Sequence, residues 1–221
     1  MKTITLICLI ACSLCLCLCL HAESPKSPNS PTDSAAVKVA QKVAPCCKDH
    51  PKIPATGVSD TSIYQIESSW TNHLAKPVKL ATLQGRIQVV TMGYSQCSYA
   101  CPRLMADMKA VELGLPEEIR KNVGFNFFSI DTTDTPQLLK AFGTSHKVDF
   151  TRWSFFSSNA GTIQELAVVL GTKYRRTNNK KDFAHSNLIT VLNEKGEIIH
   201  RQEGLSGPSA PIIKAIVEAS K

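Results

Sequence analysis

The sequence predicts an α/β domain, a central mixed sheet flanked by helices, with a β-hairpin ahead of it and a polar extension leading in from the N-terminus. Two observations predict it. From about residue 62 onward, short β-branched or aromatic runs alternate with segments whose apolar residues recur every three to four positions. The chain has 221 residues, and after an apolar leader and a polar stretch one domain of ordinary size remains. That is enough to bury a core without disulfide staples.

At the start of the chain, Lys2 precedes an uncharged run from Thr3 to Leu20, followed by His21, Ala22 and the charged Glu23-Ser24-Pro25-Lys26. Residues 1–22 read as a secretory leader cleaved after Ala22. Two alternatives stay open. Ile4 to Leu20 is barely long enough to serve as a retained membrane anchor, and Leu9-Ile10-Ala11-Cys12 loosely resembles a bacterial lipidation box. Each reading exports the rest of the chain to a periplasmic or intermembrane-type compartment, free or anchored to the inner membrane, where nucleic acid is a poor partner. The formal charge of +7 falls to +6 without Lys2, an excess that suits acidic partners or anionic surfaces. Residues 23–61 read as a flexible tether. From Glu23 to Ala44 there is no aromatic residue, so little apolar surface offsets chain entropy, and Cys46-Cys47 and His50 come at its end.

The domain is expected over residues 62–221. Ile63-Tyr64-Gln65-Ile66 reads as a first strand and Thr71-Asn72-His73 as a turn leading to Val78-Lys79-Leu80, together an N-terminal hairpin. Gln88 to Tyr94 is an apolar, β-branched run with glycine near its end, the pattern of a central strand buried on both faces. A helix follows Cys101. Pro102 suits its first turn, Leu104, Met105, Met108 and Val111 share one face, and Gly114 and Pro116 stop it. Alternation continues with a strand at Val123–Ile130, a helix at Thr135–Ser145, a strand at Trp153–Phe156 and a helix at Gly161–Leu170. Ser186–Leu192 and Glu197–Arg201 then form a hairpin across Asn193-Glu194-Lys195-Gly196, and Ile212, Ile213, Ile216 and Val217 line one face of a last helix. Parallel β-α-β units closed by a hairpin and a terminal helix match the thioredoxin plan.

Cys8, Cys12, Cys15, Cys17 and Cys19 lie in the leader as small hydrophobes. Cys46, Cys47, Cys97 and Cys101 remain, two tight pairs that point to metal or redox chemistry rather than a disulfide scaffold. Cys97 and Cys101 sit on a strand-to-helix turn, which brings positions four apart onto one side. Unpaired N–H groups and the helix dipole favour thiolates there. Two thiolates suit Cu(I) and Zn(II) alike. Of the histidines in the domain, His185 is best placed, just before the strand that leads on through Leu188. Two sulfurs and one nitrogen favour trigonal Cu(I), whereas structural zinc usually wants a fourth protein ligand, and none is identified in the domain's sequence. Taken alone, His185 reads more readily as an ordinary loop histidine. Met105 and Met108 fit the apolar face of their helix, which places them in the core.

The stretch from Gly93 to Pro102 resembles the Sco/SenC signature, Gly-Tyr/Phe-x-x-Cys-x-x-x-Cys-Pro. Ser129-Ile130-Asp131 and Asp134-Thr135-Pro136 resemble that family's Ser-Val-Asp segment ending in Asp-Thr-Pro, and His185-Ser186 falls where the family carries its copper-ligating histidine. The resemblance covers roughly Ser62 to Leu205. It implies a thioredoxin-like domain that binds copper as Cu(I), with a Cu(II) form also open, through Cys97, Cys101 and His185. It further implies a metallochaperone that delivers copper to, or maintains the thiols of, the binuclear copper site of a respiratory oxidase. Its partners would be the copper-receiving subunit and a thiol reductase that keeps Cys97 and Cys101 reduced. The chain departs from the pattern at Ser98-Tyr99, where many members carry Pro-Asp, and in an Asp131–Asp134 segment one residue shorter than usual.

Two competing readings use the same sulfurs. In a thiol-disulfide oxidoreductase, Cys97 and Cys101 are the catalytic redox thiols and no metal is required. Thioredoxins, however, carry a cis-proline before the corresponding strand, and no proline lies between Lys180 and Leu192. A peroxidase would draw on Thr91, Ser95 and Arg152, but the closely paired cysteines followed by Pro102 argue against it. Whether the chain is an enzyme at all turns on this choice; the metallochaperone reading makes it none. The basic stretch Lys173 to Arg176, with Lys180 and Lys181, reads as a loop able to steer an acidic acceptor. Cys46, Cys47 and His50 fit an auxiliary metal-capture site or a pair of exchanging thiols equally well.

Overall fold

A computed structural model describes residues 59–178 and 182–221. The leader, Cys46, Cys47, His50, Lys180 and Lys181 lie outside the described residues. The described residues are organised around a seven-stranded mixed sheet in the order β2-β1-β5-β4-β3-β8-β9. Its centre is built from β3 (Ile87–Gly93), β4 (Val123–Ser129) and β5 (Trp153–Ser157), which run parallel. Every residue of β3 and β4 is buried, which is why they read as continuous apolar runs rather than alternating ones. β8 (Leu188–Leu192) pairs antiparallel with β3, and β9 (Ile198–Glu203) antiparallel with β8. At the other side, the hairpin of β1 (Ser69–Asn72) and β2 (Pro77–Lys79) joins the sheet antiparallel to β5.

Helices α1 (Ala100–Gly114), the short α2 (Glu117–Arg120), α3 (Pro136–Ser145), α4 (Ala160–Leu170) and α5 (Ala210–Ala219) complete the thioredoxin-like arrangement. α1 packs against β3, β8 and α5, while α3 lies on β5. No helix among the described residues is long and apolar enough to cross a membrane. The core is aromatic. Phe125 stacks on Trp153 at 4.9 Å and Phe128 on Phe156 at 4.7 Å, across the β4–β5 pair, and each such pair adds about 0.5–1.5 kcal/mol beyond area burial. The buried Glu112 of α1 is paired: it accepts from Trp153 Nε1 at 2.9 Å and from Arg152 Nε at 2.8 Å.

Two expected elements are corrected. The segment Ile63–Gln65 is a 3₁₀ turn, not a strand. Ile63 and Tyr64 are both buried, which the two-sided alternation of a half-covered strand does not allow. Ser62 instead caps the turn, and the Ile63 N–H donates to the Gly196 carbonyl of the β8–β9 loop at 3.0 Å. The N-terminal hairpin exists, but its first strand is β1. The second correction concerns the basic stretch read as a loop: β6 (Tyr174–Arg176) pairs antiparallel with β7 (Phe183–His185) as a separate ribbon, placing Tyr174 opposite His185. His185 therefore ends a strand rather than sitting in a plain loop.

Candidate metal centre

The site forms where β3 ends and α1 begins, at the carboxyl end of a central parallel strand, the usual place for function in such sheets. Gly93 closes β3 and makes room for a sulfur: a Cβ added there would lie 2.6 Å from Cys101 Sγ and 3.0 Å from the Phe127 ring. The chain turns through Tyr94 to Ser98, and Tyr99 serves as the N-terminal flank of α1 without a side-chain cap. Sulfur takes up part of the resulting demand. The Cys101 N–H donates to Cys97 Sγ at 3.3 Å, and the Tyr94 N–H donates to Cys101 Sγ at 3.4 Å. The loop is held from below by Asp134, which accepts from the Ser95 N–H, the Ser95 hydroxyl and the Ser129 hydroxyl at 2.9, 2.5 and 2.6 Å.

The β6–β7 ribbon brings the third group. His185 Nε2 lies 3.7 Å from Cys101 Sγ, and the donor atoms of Cys97, Cys101 and His185 all fall within 4.8 Å of one another. Nδ1 is 3.0 Å from the Ser186 carbonyl, which only accepts, so Nδ1 carries a proton and Nε2 is the nitrogen left for the sulfurs or a metal. Cys97 is 9 % exposed and Cys101 is fully buried. Hydrogen bonding from the Cys101 thiol, with help from His185 and the N–H groups of Cys101 and Tyr99, outweighs burial and pulls Cys97 down to about 3. Cys101 shifts the opposite way, because its thiol donates a hydrogen bond to the Cys97 thiolate, is buried and faces the Cys97 charge. Burial lowers the His185 imidazole, but the Cys97 thiolate and Ser186 carbonyl more than offset it, leaving the ring above its ordinary value. The metal-free pair is one thiolate supporting one thiol.

A prediction follows for this pair. An ordinary cysteine gains thiolate about tenfold per pH unit below its pKa near 8.5. Cys97, already ionised, is expected to react with iodoacetamide at a nearly flat rate from about pH 5 to pH 8, while Cys101 stays unmodified. Peptide mass mapping of the alkylated chain checks it; a rate climbing tenfold per unit would refute the thiolate assignment.

The three residues expected as ligands are thus brought together. Those of the peroxidase reading are not: Arg152 is engaged with Glu112 and Asp149, the Thr91 hydroxyl donates to the Leu188 carbonyl, and Ser95 is bound to Asp134. Met105 and Met108 are fully buried in the core, as expected. Sequence reasoning assigned no structural role to four residues that shape the site, reading Arg176 only as part of a basic stretch able to steer an acceptor. Tyr94 touches the ribbon through its hydroxyl, Asp131 pairs with Arg176 at 3.0 Å, and Asp134 braces the cysteine loop. The visible signals were the Gly-Tyr start of the cysteine motif, which holds Tyr94, and the Asp131 and Asp134 motif.

The chain is similar to known proteins over most of its length. The profile of the SCO1/SenC family matches residues 58–220. A Stutzerimonas stutzeri protein provisionally named as copper-binding is 24% identical over 127 residues, which cover 56% of this chain and 61% of that protein. The matched region therefore spans about three fifths of that relative. Among solved structures, BsSco, described as a Sco family cytochrome c oxidase assembly protein with a disulfide switch, superposes with a TM-score of 0.63 at 23% identity, covering 74% of this chain and 98% of that one. Copper-bound ScoI of Bradyrhizobium japonicum gives 0.58 at 18% identity, covering 69% and 94%. At these identities the structures establish the shared fold.

Proposed function

Since the chain belongs to the SCO1/SenC family, we propose that it is a copper metallochaperone that takes copper(I) as cargo on Cys97, Cys101 and His185 and passes it to a respiratory oxidase's binuclear copper site. The observation that carries the reading is the donor set: two sulfurs and an imidazole nitrogen within 4.8 Å of one another. Such a soft, three-donor set suits Cu(I), and no fourth His, Cys, Asp or Glu among the described residues joins it to make a closed zinc site. The copper named for the Stutzerimonas relative and bound in the ScoI structure supports the same ion. The assembly role described for BsSco supports the acceptor. The exposed Lys173 and Arg175 border the groove beside His185 and suit an acceptor with an acidic face. Export to a periplasmic or intermembrane-type compartment, with a reductase keeping the thiols reduced, belongs to this proposal.

A second reading is favoured by the Cys97 thiolate beside the Cys101 thiol. Cys97 attacks a partner's disulfide and releases one partner thiolate; Cys101 then attacks Cys97 in the mixed disulfide, releases the second partner thiolate and leaves Cys97–Cys101 oxidised. Two electrons pass to the partner and no metal is needed. His185→Ala separates the readings. Under the metallochaperone reading, anaerobic titration of the chain from Glu23 against a chromophoric Cu(I) chelator shows affinity falling at least about tenfold. Unchanged tight binding would sink the three-ligand site, and weak copper binding in both forms with reductase activity retained by His185→Ala would put the oxidoreductase first.

A further inference from the structure

The ribbon that carries His185 packs Tyr174 and Phe183 against the core and is tied down at two further points away from the ligands. One is Tyr94, three residues before Cys97 and 3 % exposed. Its hydroxyl accepts the Phe183 N–H at 3.3 Å and donates to Asp182 Oδ1 at 3.4 Å, while its ring stands edge-on to His185 with centroids 6.0 Å apart. The backbone N–H of the same residue donates to Cys101 Sγ. Tyr94 thus spans the cysteine loop and the strand that ends in His185. The other point is Arg176, on the opposite strand of the ribbon. Its guanidinium lies 4.4 Å over the Phe183 ring and pairs at 3.0 Å with the buried Asp131, in the loop that follows β4. Thr133 fixes that carboxylate through its own N–H and hydroxyl, so the anchor is rigid.

Beyond these ties and the packing of Tyr174 and Phe183, the ribbon is short. Its strands are three residues each, outside the main sheet, and such an isolated two-stranded hairpin is marginal in water. We propose that Tyr94 and Arg176 are positioning residues that clasp the β6–β7 ribbon against the cysteine loop, so that they set copper(I) affinity solely by holding His185 in place. This rests on the copper-binding reading above. It makes the imidazole the conditional ligand: with the clasp closed copper has three donors, and with it open only the two sulfurs, which eases transfer to a competing thiolate.

The test uses Tyr94→Phe and Arg176→Gln in the chain from Glu23, each alone and combined with His185→Ala, with copper(I) alone as the probe. Both single variants are expected to weaken copper(I) about tenfold, as loss of a ligand's outer support does. Neither should have a further effect where His185 is already alanine. Hydrogen exchange of the metal-free chain should show the Phe183 amide exchanging faster in both variants, and Arg176→Lys, which keeps charge but loses the planar stack, should fall between. An equal loss of affinity with and without His185 would overturn the proposal, since the residues would then act on the cysteines or the whole fold. Unchanged affinity in the single variants would overturn it as well. A wild-type chain that binds no copper(I) would instead overturn the reading beneath it, and Phe183 exchange would still decide whether the clasp exists.

Discussion

Cys101→Ser is expected to lower copper(I) affinity by more than about 100-fold, since loss of an outer partner of a ligand already costs 10–100-fold. The hydroxyl that replaces the sulfur is a hard, neutral donor with little affinity for a soft monovalent ion. The fold should survive, because serine can still accept the Tyr94 N–H that Cys101 Sγ accepts now. Cys97→Ser is expected to cost as much by a different route. Cys101 would be left fully buried, with the Tyr94 N–H and His185 still beside it but no second sulfur, and would have to ionise against burial to serve as a ligand. Both belong in a Cys46→Ser/Cys47→Ser background, so that the adjacent pair in the N-terminal extension contributes no sulfur. Competition against a chromophoric chelator at fixed pH is the measurement. Near wild-type affinity in either variant would mean that the two sulfurs do not bind one ion.

Much of this centre is visible in the chain itself, for a physical reason. β3 and β4 are covered on both faces, so selection for burial writes them as unbroken apolar runs, and the Gly93-to-Pro102 turn follows directly. The apolar stripe of α1 is equally local, and Leu104, Met105, Met108 and Val111 are all fully buried. What stayed hidden depends on partners far apart in sequence. Arg176 and Asp131 are separated by 45 positions, and nothing in Tyr-Arg-Arg marks a strand whose stability comes from a buried carboxylate elsewhere. The first strand was placed six residues early because Ile63-Tyr64 has strand composition, while its contacts are with the β8–β9 loop. His185 is the intermediate case. Its spacing to the cysteines identifies nothing, and only the family resemblance singles it out until the fold brings Nε2 to 3.7 Å from Cys101 Sγ.

Asp134→Ala is expected to give the largest loss of stability of any single change around the site. The carboxylate is 4 % exposed and is the shared acceptor for the Ser95 N–H, the Ser95 hydroxyl and the fully buried Ser129 hydroxyl. Alanine removes the shared acceptor of the buried Ser129 hydroxyl, which keeps only the Asp131 carbonyl at 3.2 Å, and of two donors on the half-buried Ser95; at about 1–3 kcal/mol for a group left unsatisfied, a total of about 3 kcal/mol is expected. Asp134→Asn should fall between, because its carbonyl oxygen still accepts while its amide presents N–H groups to donors. The effect should also reach the metal centre, since Ser95 lies two residues before Cys97 and loses both of its ties to Asp134. Denaturant unfolding at neutral pH, read at constant slope, measures the stability change. Copper(I) competition on the protein well below its unfolding midpoint measures the second effect, expected as a loss of about tenfold. A change below about 1 kcal/mol with undiminished copper affinity would show that the cysteine loop holds its shape without the carboxylate.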